Sequence, residues 1–121
     1  MKYLLDTNVL IYYLNNDVKA IAFVDDNIHE CAISTITYLE ILVFPYTDEE
    51  DQKVRDFLEL FTIYDIEKSI IDMAIQTYRN KKVKIADNLI GSTAKYHNLT
   101  LVTRNVDDFK AMQVDILNIY E

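Results

Sequence analysis

Short apolar runs alternate with stretches of helical period along this chain, and that alternation narrows the fold more than any other feature. Tyr3–Leu5, Ile28–Ile33, Phe61–Tyr64, Leu99–Val102 and Val114–Ile119 read as strands. Between them, Val9–Leu14, Val18–Asp25, a segment capped by Ser34 or Thr35 and running to Phe44, Thr47–Leu60, Ser69–Arg79 and Asp87–Tyr96 read as helices. Val106–Phe109 reads as a helical turn, Asn80–Ile85 as a basic loop, and Pro45 as the stop of the third helix. Strands separated by helices need crossover connections, which predicts an α/β fold with a mostly parallel sheet covered on both faces. No linker, repeat or low-complexity stretch interrupts the 121 residues, so residues 1–121 are expected to form a single domain.

Composition removes several function classes. The single glycine, Gly91, cannot build a dinucleotide or P-loop phosphate cradle. The single cysteine, Cys31, excludes an internal disulfide and a cysteine-based zinc site, and reads as a core residue of the second strand. Neither His29 nor His97 stands in an acid–nucleophile context, so no Ser/His/Asp triad is expected; His97 is expected to interact with the last carbonyls of its helix. Twelve Lys and Arg against 20 Asp and Glu give a net charge of −8. That balance argues against a passive nucleic-acid coat, though not against an enzyme in which metal ions neutralise carboxylates and substrate phosphates. Asp6 breaks the first apolar run short of signal-peptide length, and no later run nears the ~20 residues of a membrane span. The expectation is a cytoplasmic protein with no membrane partner.

The acids carry the chemistry. In a parallel sheet, ligands bind beyond the carboxyl ends of the strands, where strand order switches. Asp6 ends the first strand, and reads equally as a helix cap or a ligand. Glu40 has Ile36, Val43 and Phe44 at helical spacing, which aims a carboxylate at an apolar stripe and demands a partner, either a basic side chain or a cation. Asp87 opens a helix whose same-side residues are Ile90, Gly91 and Ala94, and reads as a cap or as a rigidly held ligand. Thr103-Arg104-Asn105-Val106-Asp107-Asp108 follows the fourth strand, with Asp107 or Asp108 alternatively capping the next turn. Oxygen donors of this kind suit Mg²⁺ or Mn²⁺. The matching chemistry is metal-assisted phosphodiester hydrolysis.

Four segments then resemble, in order, the acidic motifs of PIN-domain nucleases. They are Leu4-Leu5-Asp6-Thr7-Asn8-Val9-Leu10-Ile11, Ser34-Thr35-Ile36-Thr37-Tyr38-Leu39-Glu40-Ile41, Ile85-Ala86-Asp87-Asn88-Leu89-Ile90-Gly91-Ser92-Thr93-Ala94 and Leu101-Val102-Thr103-Arg104-Asn105-Val106-Asp107-Asp108-Phe109. The chain's size is similar to that of VapC-type toxins of toxin–antitoxin pairs. The resemblance implies a three-layer α/β/α sandwich around four or five strands. It also implies a Mg²⁺- or Mn²⁺-dependent endoribonuclease with metal roles for Asp6, Glu40 and Asp87 and accessory roles for Thr7 and Thr103. Asn105 stands where many members carry Asp; it is expected to orient groups in the site, with Asp108 the next candidate for the fourth acid. The resemblance further implies a homodimer and a small antitoxin whose peptide lies over the site.

Lys81, Lys82 and Lys84, together with Arg104, are candidates to guide RNA phosphates toward the acids; a solvated loop is the plainer reading. Ile36–Phe44 is apolar almost all round, which predicts full burial or a partner face. A phospho-acceptor receiver would want an acidic pair after the first strand and a Lys after the last, and a haloacid-dehalogenase-like phosphatase would want Asp-x-Asp; this chain has neither. The non-enzymatic alternative is a degenerate PIN-like module that binds RNA or protein without cutting, with Asn105 as its support.

Overall fold

A computed structural model describes residues 1–121. Five strands, β1 (Tyr3–Leu5), β2 (Cys31–Ser34), β3 (Thr62–Tyr64), β4 (Thr100–Val102) and β5 (Ile116–Leu117), form one sheet in the order β3-β2-β1-β4-β5. Every pairing is parallel: Tyr3 lies beside Cys31 and Thr100, Leu5 beside Val102, and Ser34 beside Tyr64. The chain moves outward from β1 to β3, then returns to the other side of β1 for β4 and β5. The switch in strand order therefore falls between the carboxyl ends of β1 and β4.

Seven helices cover the sheet: α1 (Thr7–Leu14), α2 (Val18–Asn27), α3 (Thr35–Leu42), α4 (Asp48–Leu58), α5 (Lys68–Asn80), α6 (Ile85–Tyr96) and α7 (Val106–Phe109). Strand alternation sorts the core into two layers. Leu5, Cys31, Ile33 and Val102 pack with Val9, Leu10, Val24, Ile41, Val54 and Leu58 of α1 to α4. Leu4, Ala32 and Leu101 face the opposite way and pack with Ile90, Ala94, Phe109 and Met112 of α6 and the segment after it. The expected three-layer α/β/α sandwich is thus present, with strands buried on both faces. Cys31 is a fully buried core residue, as read from the sequence.

Several boundaries differ from the sequence reading. Ile28–Glu30 is a turn of 3₁₀ helix, so the second strand starts only at Cys31. β5 keeps two of the residues expected from Val114 to Ile119, because a strand at the sheet edge has one neighbour to pair with. The third helix ends at Leu42, before Phe44. Ser34 is its cap, accepting the Thr37 N–H. Thr47 opens α4 with a capping box, its hydroxyl on the Glu50 N–H and the Glu50 carboxylate on the Thr47 N–H.

Candidate functional site

Asp6 sits at the switch point. It is the N-cap of α1, and one carboxylate oxygen accepts the Thr7 N–H at 2.8 Å. The other oxygen accepts the Thr103 hydroxyl at 2.8 Å, a bond that spans the crevice between β1 and β4. The cap reading of Asp6 holds, and the same side chain also bonds across the crevice. Asp6 is 5% exposed, and burial pushes its pKa up to about 6. The bonds from Thr103 and the Thr7 N–H pull in the other direction, while the charges of Asp87 and Glu40 add to the rise.

Glu40 departs from expectation. The sequence aimed it at an apolar stripe, yet Glu40 is exposed, and Val43 and Phe44 beside it are 68% and 63% exposed. The buried side of α3 is carried by Thr37 and Ile41 instead, because Thr37 hydrogen-bonds into the interior. The partner of the Glu40 carboxylate is neither an arginine nor a lysine: the Thr7 hydroxyl donates to it at 2.6 Å. The Thr37 hydroxyl lies 3.1 Å from that of Thr7, a link that the sequence reading missed although Thr37 precedes Glu40 by three positions on one helix face.

Asp87 does not cap α6. The Asn88 N–H bonds to the Lys84 carbonyl, so the helix begins two residues earlier than Asp87. Asp87 occupies the first turn, where its charge is favoured by the unpaired N–H groups. Its pKa is raised, first by burial and then by the charges of Asp108 and Glu40, with Lys84 opposing. Asp6 thus feels the charges of Asp87 and Glu40, and Asp87 those of Glu40 and Asp108. None of these four forms an ion pair with Lys or Arg; the four pairs in the molecule are Lys53–Glu49, Arg55–Asp51, Lys68–Asp72 and Lys110–Asp107.

The side chains of Asn105 and Asp107 make no hydrogen bond to these acids. The Asn105 side chain is exposed and makes no hydrogen bond, while its backbone N–H donates to Thr103 Oγ1 at 3.0 Å. Neither Asp107 nor Asp108 caps α7; Asp107 pairs with Lys110. Nothing in the sequence marks Asn8, next to Thr7, as a site residue, yet both polar atoms of its side chain are buried without a partner. Lys81, Lys82 and Lys84 are exposed and unpaired beside the start of α6. Arg104 stacks over Tyr12 and Tyr120. His97 also differs from expectation: its ring stacks on Tyr64 at 3.8 Å rather than reaching the carbonyls of its helix.

This donor set fits a hard divalent cation better than any soft metal: it is all oxygen, acidic and short of cationic partners. No group of three or more His, Cys, Asp or Glu is drawn together as a ready-made ligand cage. Mg²⁺ is ordinarily held by one or two carboxylates, with water and phosphate completing its shell.

Two apolar surfaces flank the acids. A cleft of about 430 Å³ between α1, α3 and α4 is lined by Ile11, Leu14, Ile41, Phe44, Tyr46 and Val54, with Glu40 at its margin. A second, of about 360 Å³, lies between α5 and α6 and is lined by Ile71, Ile75, Tyr78, Ile85 and Leu89. No helix is long and apolar enough to cross a membrane.

Comparison with known proteins agrees with this architecture. A chain in a toxin–antitoxin complex from Klebsiella pneumoniae is 30% identical, with a TM-score of 0.86 and 99% of each chain covered. FitAcB from Neisseria gonorrhoeae contains a chain 26% identical, at a TM-score of 0.81 with 98% of this chain and 99% of that one covered. VapBC2 from Rickettsia felis, bound to a DNA fragment from their promoter, contains one 26% identical, at a TM-score of 0.82 with 98% of each covered. No curated protein matches the chain. Residues 3–114 match the PIN domain, and the chain belongs to that family.

Proposed function

We propose that residues 1–121 form one PIN domain that acts as a Mg²⁺- or Mn²⁺-dependent endoribonuclease, the toxin of a type II toxin–antitoxin pair working in the cytoplasm. The observation that carries this reading is the buried Asp6 at the switch in strand order, within reach of the charges of Asp87 and Glu40, with no ion pair from Lys or Arg to any of the three. Asp6 and Asp87 are the principal cation holders, and Glu40 and Asp108 contribute charge and hold water. A divalent ion there supplies a water of lowered pKa and neutralises phosphate charge. Thr103 fixes the rotamer of Asp6, and Thr7 fixes that of Glu40, so neither carboxylate is free to turn away. Asn105 orients the substrate, and Lys81, Lys82, Lys84 and Arg104 draw RNA phosphates toward an otherwise acidic surface.

The similar chains come from toxin–antitoxin complexes, which supports a cognate antitoxin as a partner. We assign its peptide to the cleft of α1, α3 and α4, because Glu40 belongs both to that cleft and to the acid edge, and a peptide there covers the site. The apolar face of α5 and α6 is assigned to a second copy of the chain.

The test is cleavage of RNA with Mg²⁺ or Mn²⁺ present and with EDTA added. Cleavage should need the metal and be abolished by Asp6→Asn and by Asp87→Asn, with both variants folded by circular dichroism. RNA binding without cleavage would favour a degenerate binding module, and cleavage that survives either substitution would overturn the assignment.

A further inference from the structure

Thr103 is the side chain that fixes the second carboxylate oxygen of Asp6, so whatever holds Thr103 also sets Asp6. The next residue, Arg104, makes no ion pair in a chain with 20 acids, although its charge reaches Asp17. Its guanidinium carbon instead lies 4.9 Å from the ring centre of Tyr120 and 5.6 Å from that of Tyr12. The two rings meet edge to face at 5.6 Å and 78°. The Tyr120 hydroxyl then donates to Asp17 Oδ2 at 2.7 Å, the same oxygen that caps α2 by accepting the Ala20 N–H at 3.0 Å. The loop after β4 is thereby tied to α1, to the start of α2 and to the last segment of the chain.

We propose that Arg104, clasped by Tyr12 and Tyr120 and braced through Tyr120 on Asp17, is a positioning residue that holds Thr103 and so presents the Asp6 carboxylate to a divalent cation. This rests on the reading of Asp6 as a cation holder. It also differs in sign from the role that charge alone gives Arg104. A guanidinium near carboxylates repels a divalent ion, so on electrostatics its removal strengthens binding. As a clasp, its removal loosens the loop that follows Thr103, whose own N–H stays on the Leu117 carbonyl, and so weakens binding. As an RNA contact alone, its removal does not weaken the binding of an ion offered without RNA.

The experiment titrates the metal-free full chain with Mn²⁺ alone, following the free ion by electron paramagnetic resonance. Arg104→Gln should raise the Kd about tenfold, the low end of what loss of an outer-shell partner costs. Arg104→Lys, which keeps a cation over the rings, should recover part of the loss. Tyr120→Phe, which deletes only the bond to Asp17, should show a smaller rise, and it carries the test if Arg104→Gln does not fold. Thr103→Val should weaken binding, and adding Arg104→Gln to it should weaken it no further, because one acts through the other. In the metal-free chain, the Asn105 N–H that bonds Thr103 should exchange faster in Arg104→Gln. Binding as tight as wild type in Arg104→Gln, or additive losses in the double variant, overturns the positioning role while leaving the nuclease reading intact. Absence of Mn²⁺ binding by the wild type, or binding unchanged in Asp6→Asn, overturns both.

Discussion

Asp6 combines two tasks that pull its energetics in opposite directions. Capping α1 and bonding Thr103 favour its charged form, but burial outweighs both and raises its pKa from 3.8 to about 6. Between those values the folded chain binds more protons at this carboxyl than the unfolded chain does. The contribution of Asp6 to stability is therefore full below about pH 4, falls as pH rises, and is lost above about pH 6. At neutral pH the unmet charge costs on the order of 3 kcal/mol in the metal-free protein. Asn keeps the capping oxygen, and the Thr103 hydroxyl can turn to accept from the amide. Metal-free Asp6→Asn should therefore be more stable than wild type at about pH 7.5 by roughly 1–3 kcal/mol, with the gain gone near pH 4. Urea unfolding at both pH values measures this, and a loss of stability at the higher pH would contradict burial as the dominant influence on Asp6.

At the scale of elements, α6 shows how tight packing brings Asp87 to the sheet edge. Asn88 is buried, its amide donating to the Ala74 carbonyl of α5 at 2.8 Å and its oxygen accepting the Ser92 hydroxyl at 3.1 Å. Gly91 faces Met112 so closely that a Cβ there would stand 2.5 Å from its sulfur and 3.3 Å from Phe109. Alanine at 91 gains about 1 kcal/mol of helix propensity. Overpacking a closed site costs about 1–3 kcal/mol, and Met112, 2% exposed, has little room to retreat. Gly91→Ala should therefore destabilise the chain by about 1 kcal/mol in net terms. A double-mutant cycle with Met112→Ala, read by chemical denaturation, should show favourable coupling; a stabilised Gly91→Ala would mean that Met112 yields freely.

At the scale of the molecule, net charge and exposed apolar surface bear on two different partners. With a charge of −8 concentrated partly at the site, cations and basic side chains are the natural visitors to the acid edge. The apolar faces of α5 and α6 are unlike an ordinary solvated surface, with Ile85 74% and Ile75 42% exposed. If a second copy covers them, Ile85→Glu should leave the fold intact and reduce the mass in solution from twice 14.2 kDa to 14.2 kDa. Light scattering and sedimentation measure this. A wild-type chain that is already monomeric at high concentration would remove the assignment of that face.

The alternation of strand and helix, the parallel sheet it implies, the helix start at Thr47 and the acids near strand ends were legible in the sequence, because each is read from residues within a few positions of one another. Hydrophobic periodicity and capping are local, and they survive without knowledge of what packs against them. The resemblance marked Thr7 and Thr103 as accessory groups, but which carboxylate each would bond, the exposure of Glu40 and the clasp of Arg104 were not legible. The bonds concerned join groups 33, 97 and, for Tyr120 and Asp17, 103 residues apart. An apolar pattern on α3 shows which residues avoid water, but not whether the core or a partner covers them. Strand order decided which chain ends meet, and that is a property of the whole sheet, carried by no single segment.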